Sequence, residues 1–360
     1  MKTKTDFFIS KLRMKSIFIF LLATFSVLTA CVSEVGAEKA PNNSIKMILD
    51  MDTGIDDAMA LAYAAGTPKV DLLGVVGTYG NVSVEQGVQN TLNLLDLLGA
   101  SNVPVYAGSS HSLLTTEVYR PDELTQEFHG KNGIGEVVIP NSKKQVEKEN
   151  GVDFLLRMAD TYQKELTIVA VGPLTDLARA MDRDATFEQK VGQIVIMGGA
   201  LTVPGNMNHW AEANIYHDPV AARRVLKSKA KITMVGLDVT LRTALTKNET
   251  SKWRNLQTPS AIAYADIVDF YINVSERLEP DLKGCALHDP LAVAVAIDPT
   301  LVTTFDLNLE VGVDRDDFGR TIGDVSRLLE ENPNVSVCIN VDHKTFNNRF
   351  FEVLNRLFGN

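Results

Sequence analysis

Four carboxylates crowd into eight residues of this chain: Asp50, Asp52, Asp56 and Asp57, in the run Leu49-Asp50-Met51-Asp52-Thr53-Gly54-Ile55-Asp56-Asp57. Carboxylates so close repel one another unless something positive lies among them. A hard divalent cation answers that need, and oxygen donors suit calcium or magnesium. On an extended chain residues two apart share a face, so Asp50 and Asp52 are expected to point the same way. The alternative reading, a solvated acidic turn with a helix cap, leaves four charges around one glycine without a purpose.

The elements that must hold these groups are legible around them. Met47 to Leu49 is a short apolar run that reads as a buried strand. Gly54 permits a tight turn. Asp56 and Asp57 then open an Ala-rich helix, where the positive end of the helix dipole favours acids. Strand, acidic turn and helix form the layout in which open α/β sheets place ligands, at the carboxyl ends of strands.

From Ile45 onward strand-like and helix-like runs alternate. Strands are expected over 45–50, 70–78, 166–171, 193–198, 231–237 and 336–342. Helices are expected over 56–65, 84–99, 151–163, 174–181, 218–228, 259–278, 289–296 and 345–358. This alternation implies an α/β fold, an open and mainly parallel, Rossmann-like sheet with helices on both faces. The region 109–150 is irregular and rich in polar residues and glycine, as in flaps over active sites.

Further chemistry falls where these strands should end. Gly80-Asn81 follows the second strand and is a turn in itself. His129 lies in the glycine-rich stretch Phe128-His129-Gly130-Lys131-Asn132-Gly133. The third strand runs into Val171-Gly172-Pro173, where Gly-Pro forces a turn. The fourth leads into Met197-Gly198-Gly199, then Gly205-Asn206 and Glu212-Ala213-Asn214; amides and carboxylates of this kind suit a ligand rich in hydroxyls. Asn208, His209 and Trp210 sit in the same loop, and Trp210 could stack on a flat ligand or simply pack. His288-Asp289-Pro290 opens the helix expected over 289–296, where an Asp is by itself an ordinary cap.

Taken together, the Asp-x-Asp-x-Gly-x-Asp-Asp run, Gly80-Asn81, the His-Gly stretch, Met-Gly-Gly with Gly-Asn and Glu-x-Asn, and His288-Asp289 resemble, in order, the motifs of the inosine-uridine preferring nucleoside hydrolases. Val337 to Phe351 resembles that family's closing strand and helix. The resemblance implies the nucleoside hydrolase fold and calcium-dependent hydrolysis of the N-glycosidic bond of purine or pyrimidine ribonucleosides. It implies calcium (Ca2+) held by Asp52, Asp57, Asp289 and the Val171 carbonyl, with Asp52 also the general base and His288 the acid toward the leaving base. It assigns the ribose and base to Asp56, Asn81, His129, Met197, Asn206, Glu212 and Asn214, leaves Asp50 as a support of the loop, and suggests a homodimer or homotetramer. Two other readings compete. Asp50-Met51-Asp52-Thr53 also resembles the nucleophile motif of haloacid dehalogenase-type phosphatases, but the only later Gly-Asp, Gly323-Asp324, lacks an acid four residues on. A lipid-anchored nucleoside-binding protein without turnover is the other, and it would be better served by an Asn at position 52.

The N-terminus carries an address. Lys11, Arg13 and Lys15 precede the apolar run Ile17 to Leu28, which is short for a membrane span, and Leu28-Thr29-Ala30-Cys31 follows. Residues 1–31 read as a secretory signal peptide whose end resembles a bacterial lipobox, with Cys31 the lipidated residue and Met14 an alternative start. An exported lipoprotein, held to a membrane through its lipid anchor alone, is the expectation. Residues 32–44 read as a tether and 45–360 as one catalytic domain. A formal net charge of −10 argues against nucleic acid as a partner, and 45% hydrophobic residues suffice for a large core. Cys285 and Cys338 are expected to be buried thiols.

Overall fold

The computed structural model describes residues 44–359. The signal segment, Cys31 and all of the expected tether but Ser44 lie outside the described residues. The main sheet has eight strands, named here β1 (Ile45–Met51), β2 (Val70–Gly77), β3 (Val105–Ala107), β4 (Leu166–Ala170), β5 (Gln193–Met197), β6 (Ile232–Val235), β7 (Val302–Leu307) and β8 (Val335–Val341). Their spatial order is β3-β2-β1-β4-β5-β6-β8-β7. All neighbours run parallel except β8 and β7, which are antiparallel. The α/β expectation is met.

Order decides where a ligand can go. The chain builds outward from β1 through β2 to β3, then crosses back to β4 on the other side. The connections after β1 and β4 therefore leave in opposite directions, and a crevice opens between the carboxyl ends of these two strands. Register aligns those ends: Asp50 stands opposite Val76 of β2 and Ala170 of β4.

Alternation along the strands feeds two cores. Met47, Leu49 and Met51 of β1 face one side, with Val75, Val169, Val195 and Val235. Ile48 faces the other, with Val76, Ile168, Ile194 and Ile232. The first core is covered by helices α1 (Ile55–Gly66), α2 (Val84–Leu97), α7 (Pro259–Leu278), α8 (His288–Ile297) and α9 (His343–Phe358). The second is covered by α4 (Gly151–Tyr162), α5 (Thr175–Arg183) and α6 (Pro219–Leu226). Helix α1 is buried from Ile55 to Ala64, packed between the sheet, α8 and α9. A helix apolar all round belongs in such a place.

Some elements are not those expected. β3 has three residues and β7 carries polar residues and the exposed Phe305, so neither has a strand's apolar signature. Within the irregular region lies helix α3 (Glu123–His129), capped by Asp122, which accepts from the Thr125 N–H at 2.8 Å. Two small antiparallel pairs, Ala244–Leu245 with Cys285–Ala286 and Leu309–Val311 with Thr321–Gly323, lie outside the main sheet. Cys285 and Cys338 are buried free thiols. Among the described residues no helix is long and apolar enough to cross a membrane.

Candidate active site

The acidic turn is built by backbone strain and glycine. β1 stops at Met51, and Thr53 takes a φ of 24°, rare for a β-branched residue. Such strain persists only where neighbours over-determine it. Here the Thr53 hydroxyl pairs with that of Thr91 at 2.8 Å, and Asn90 donates to the Thr53 carbonyl at 3.4 Å. The turn aims the N–H groups of Asp52 and Gly54 at the Asp57 carboxylate, at 3.1 and 2.8 Å. From the end of β2, the Asn81 side chain donates to Asp57 at 3.0 Å and its backbone N–H to Asp52 Oδ2 at 2.7 Å. A Cβ on Gly80 would lie 1.9 Å from Asp52 Oδ2, so only glycine lets the two loops meet.

Because the strand ends at Met51, alternation does not carry to Asp52, and the pairing of Asp50 with Asp52 is corrected. Asp52 stands among Asp56 and Asp57, whereas Asp50 is pushed up by burial and by the charge of Asp176, outside that group. Both Asp50 oxygens are buried without partners.

One oxygen each of Asp56, Asp57 and Asp289 lie within 4.8 Å of one another, all three side chains buried. Asp289 arrives from the first turn of α8. Burial, reinforced by the neighbouring acids, raises the pKa of Asp52, Asp56 and Asp289 well above the carboxylate range. Asp57 rises only to about 6, because burial is opposed by N–H donors that favour its charged form. Asp52 Oδ1 and Asp56 Oδ1 have no hydrogen-bond partner. A buried cluster of hard oxygens with unpartnered atoms is able to bind a metal ion. Asp56, expected to serve the sugar, belongs to this three-way gathering, and Asp52 stands beside it.

The facing wall comes from β4 and β5. Asn214 donates its amide hydrogens to the carbonyls of Val171, at 2.9 Å, and Met197, at 3.1 Å, tying the two strand ends together. Its own oxygen is left for the cavity. Glu212 caps the short helix Ala213–His217, accepting from the N–H groups of Gly199, Asn214 and Ile215; burial pushes it up to about 7. Asn206 accepts from the Ala213 N–H at 3.0 Å. Asp56, Asn81, His129, Val171, Met197, Asn206, Glu212, Asn214, His288 and Asp289 all line one cavity. Asp52 and Asp57 lie behind them.

Two histidines close the cavity. The Ile55 N–H donates to His129 Nδ1 at 3.2 Å, so the region expected to be a flap docks its histidine on the start of α1. The turn beyond it needs positive φ at Gly130, Gly133 and Gly135. His288 Nδ1 pairs with the Thr240 hydroxyl at 2.8 Å. Burial lowers His129 to about 3 and His288 to about 4, so both are neutral imidazoles near pH 7. Trp210 packs under Arg320, 4.4 Å from the guanidinium, and does not line the cavity.

Sequence reasoning missed Phe128, His217, Tyr271 and Glu279, which also line it. Tyr271 falls on the apolar face of a helix that was foreseen, where an aromatic reads as core. His217 carried no motif. It is buried, accepts from or donates to the Tyr119 hydroxyl at 3.1 Å, and is lowered to about 4 by burial.

Residues 47–348 match the profile described as inosine-uridine preferring nucleoside hydrolase. The chain belongs to that family. A uridine nucleosidase of Arabidopsis thaliana is 38% identical over 72% of this chain and 75% of its own length. The pyrimidine-specific ribonucleoside hydrolase RihA of Escherichia coli is 30% identical over 84% and 96%. Among solved structures, the purine-preferring ribonucleoside hydrolase from Gardnerella vaginalis superposes with a TM-score of 0.86 at 48% identity, over 87% of this chain and 99% of that one. The protein is therefore a nucleoside hydrolase, an enzyme that splits the N-glycosidic bond of ribonucleosides. The phosphatase and the non-catalytic binding protein are set aside by the same match.

Proposed function

We propose that this hydrolase depends on calcium and that Asp52 is its general base. The observation that carries the reading is the buried carboxylate group at the β1–β4 crevice, with Asp52 Oδ1 lacking a partner. The carboxylates of Asp52, Asp57 and Asp289, with the Val171 carbonyl, would hold the ion, and Asp56 stands beside them. The Val171 carbonyl accepts from Asn214 and keeps a second lone pair. When bound, calcium supplies a Lewis acid that offsets the negative charge and acidifies a water.

The remaining work falls to side chains. Asp52 takes the proton of the attacking water as general base. Asp56, Asn206, Glu212 and Asn214 hold the ribose hydroxyls. The transition state of glycosyl hydrolysis is oxocarbenium-like, and nearby carboxylates favour its positive charge. The acid role requires the Thr240 hydroxyl to donate to Nδ1 in their 2.8 Å contact, which leaves the hydrogen of His288 on Nε2 for the leaving base. A full proton transfer needs the imidazolium, so negative charge gathering on the base must raise His288 from its resting value near 4.

Chelation tests the metal. Removing divalent ions should abolish turnover of inosine and uridine and lower the melting temperature, and calcium should restore both; full activity after exhaustive chelation would sink the proposal. We further propose that the enzyme is exported and lipid-anchored at Cys31, supported by the order Leu28-Thr29-Ala30-Cys31 after an apolar run. Mass spectrometry of the native protein should find an acylated Cys31 at its start, and an unmodified Cys31 refutes the anchor.

A further inference from the structure

We infer that Glu279 reads the nucleobase and selects bases that present a ring N–H, the 6-oxopurines, over the aminopurine adenine. This rests on the nucleoside hydrolase reading and deepens it, since the relatives named above divide between pyrimidine and purine substrates.

Glu279 follows the last turn of α7 and lines the cavity while half-buried. Its place is fixed by backbone: its N–H donates to the Ser275 carbonyl at 2.7 Å and its carbonyl accepts from Leu282 at 3.0 Å. Among the described residues no donor reaches its carboxylate. The neighbouring cation Arg277 is engaged with Glu127 at 2.6 Å. A carboxylate drawn partly out of water without a partner is costly unless a ligand supplies one.

The helix carries the cavity lining away from the acidic end. His129 accepts from the Ile55 N–H, next to Asp56, while Tyr271 stands on α7 about two turns before Glu279, and all four line the cavity. The Tyr271 ring stacks on His129, with centroids 5.6 Å apart. A ribose held at the acidic end therefore projects its base past Tyr271 and His129 toward Glu279. Aromatic faces tolerate any base, so they do not choose among them. Glu279 can, because an ionised carboxylate only accepts hydrogen bonds. Hypoxanthine offers it one ring N–H. Guanine offers a ring N–H and an amino N–H side by side, matched to the two carboxylate oxygens. Adenine turns a bare ring nitrogen to the same edge, and two lone pairs then face each other.

The test compares kcat/KM for guanosine, inosine, adenosine and nitrophenyl riboside in the wild-type enzyme, Glu279→Gln and Glu279→Ala. The wild type should favour guanosine and inosine over adenosine. In Glu279→Gln the guanosine-to-adenosine ratio should fall ~10–100-fold, the worth of a hydrogen bond to a charged group, chiefly through KM. The glutamine amide can donate to the adenine ring nitrogen, so adenosine turnover should rise, which a structural role would not produce. Nitrophenyl riboside has no such edge and should be unchanged in both variants. An unchanged guanosine-to-adenosine ratio, or equal losses on every substrate including nitrophenyl riboside, overturns the assignment of Glu279 while leaving the hydrolase reading intact. A wild-type enzyme that cleaves no nucleoside overturns the hydrolase reading itself, and this inference with it.

Discussion

Replacing Asp52 by Asn separates the base from the framework around it. The Asn side chain keeps an oxygen that can accept the Asn81 N–H, the 2.7 Å contact that docks the β2 loop. What it loses is charge and basicity at Oδ1, the buried atom without a partner. Loss of a general base costs ~10²–10⁴-fold in rate. At 1.36 kcal/mol per tenfold, that is about 3–5 kcal/mol of transition-state stabilisation. Weakened metal binding should deepen the loss at low calcium. Stability should move the other way in the metal-free protein. Asp52 is raised by burial and by the charges of Asp57 and Asp56, so its ionised form is a source of repulsion that Asn removes. The assay is ribose release from inosine and uridine at saturating substrate, with melting curves in chelator and in calcium. The expected pattern is a kcat lower by ~10²–10⁴-fold, a higher melting temperature in chelator, and a smaller calcium-induced shift. Turnover within a few-fold of wild type would refute Asp52 as the base, and a lower melting temperature in chelator would refute the electrostatic argument.

His288→Ala should slow inosine by ~10²-fold or more and spare nitrophenyl riboside, whose leaving group needs no proton; equal losses on both would make His288 a packing residue beside Asp289. The pH dependence follows from the buried acids and histidines. Glu212, at about 7, and Asp57, at about 6, bind protons more tightly folded than unfolded, so their contribution to stability falls as pH rises from the ordinary carboxylate range to about 7. His129, His217 and His288 are depressed to between about 3 and about 4, so theirs is present above about 6.5 and is lost as pH falls toward those values. Above pH 7 the histidines are neutral in both states, leaving in control Asp52, Asp56 and Asp289, which are raised well above the carboxylate range. The chelated enzyme should then melt at lower temperature as pH rises from 7, while calcium, by displacing those protons, flattens the curve. Parallel curves with and without calcium would count against a cation at these carboxylates.

The acidic turn was legible because every cue lies within a dozen residues: an apolar run, a glycine, acids opening an Ala-rich helix. The direction of Asp50 was not, since that depends on where β1 stops, and the stop is set by the Thr53 conformation and its hydroxyl contact with Thr91, 38 residues away. Asn81 was visible through its Gly-Asn turn, although nothing local shows that its amide would hold Asp57. Glu212 and Asn214 were found through the order Met-Gly-Gly, Gly-Asn and Glu-x-Asn, which resembles the family's motif. The Asn214 amide turns out to donate to carbonyls at two strand ends and the Glu212 carboxylate to accept from backbone N–H groups, facts of tertiary structure. Phe128, Tyr271 and Glu279 escaped because an aromatic on a helix face and an acid at a helix end have ordinary explanations. Only the packing of α3 and α7 at the crevice brings them into one cavity.

The crevice itself explains why so much charge is tolerable there. Three loops reach Asp52 and its neighbours from three strand ends, and a glycine opens each approach. A Cβ on Gly54 would lie 2.5 Å from His129 Nδ1 and 2.6 Å from Asn81 Nδ2; on Gly80, 1.9 Å from Asp52 Oδ2; on Gly172, 2.8 Å from Thr78 Cγ2 and 3.2 Å from the Asp52 nitrogen. Side chains at these positions would hold the loops apart and admit water between the carboxylates. Their absence packs the acids close enough to share one cation, in a place dry enough for the attraction to be strong. The repulsion among the acids is offset by the two cores beneath, which bury α1 and every strand of the crevice. Catalytic geometry in this enzyme is therefore a property of close backbone approach at the switch point of the sheet, with the carboxylates as its chemical content.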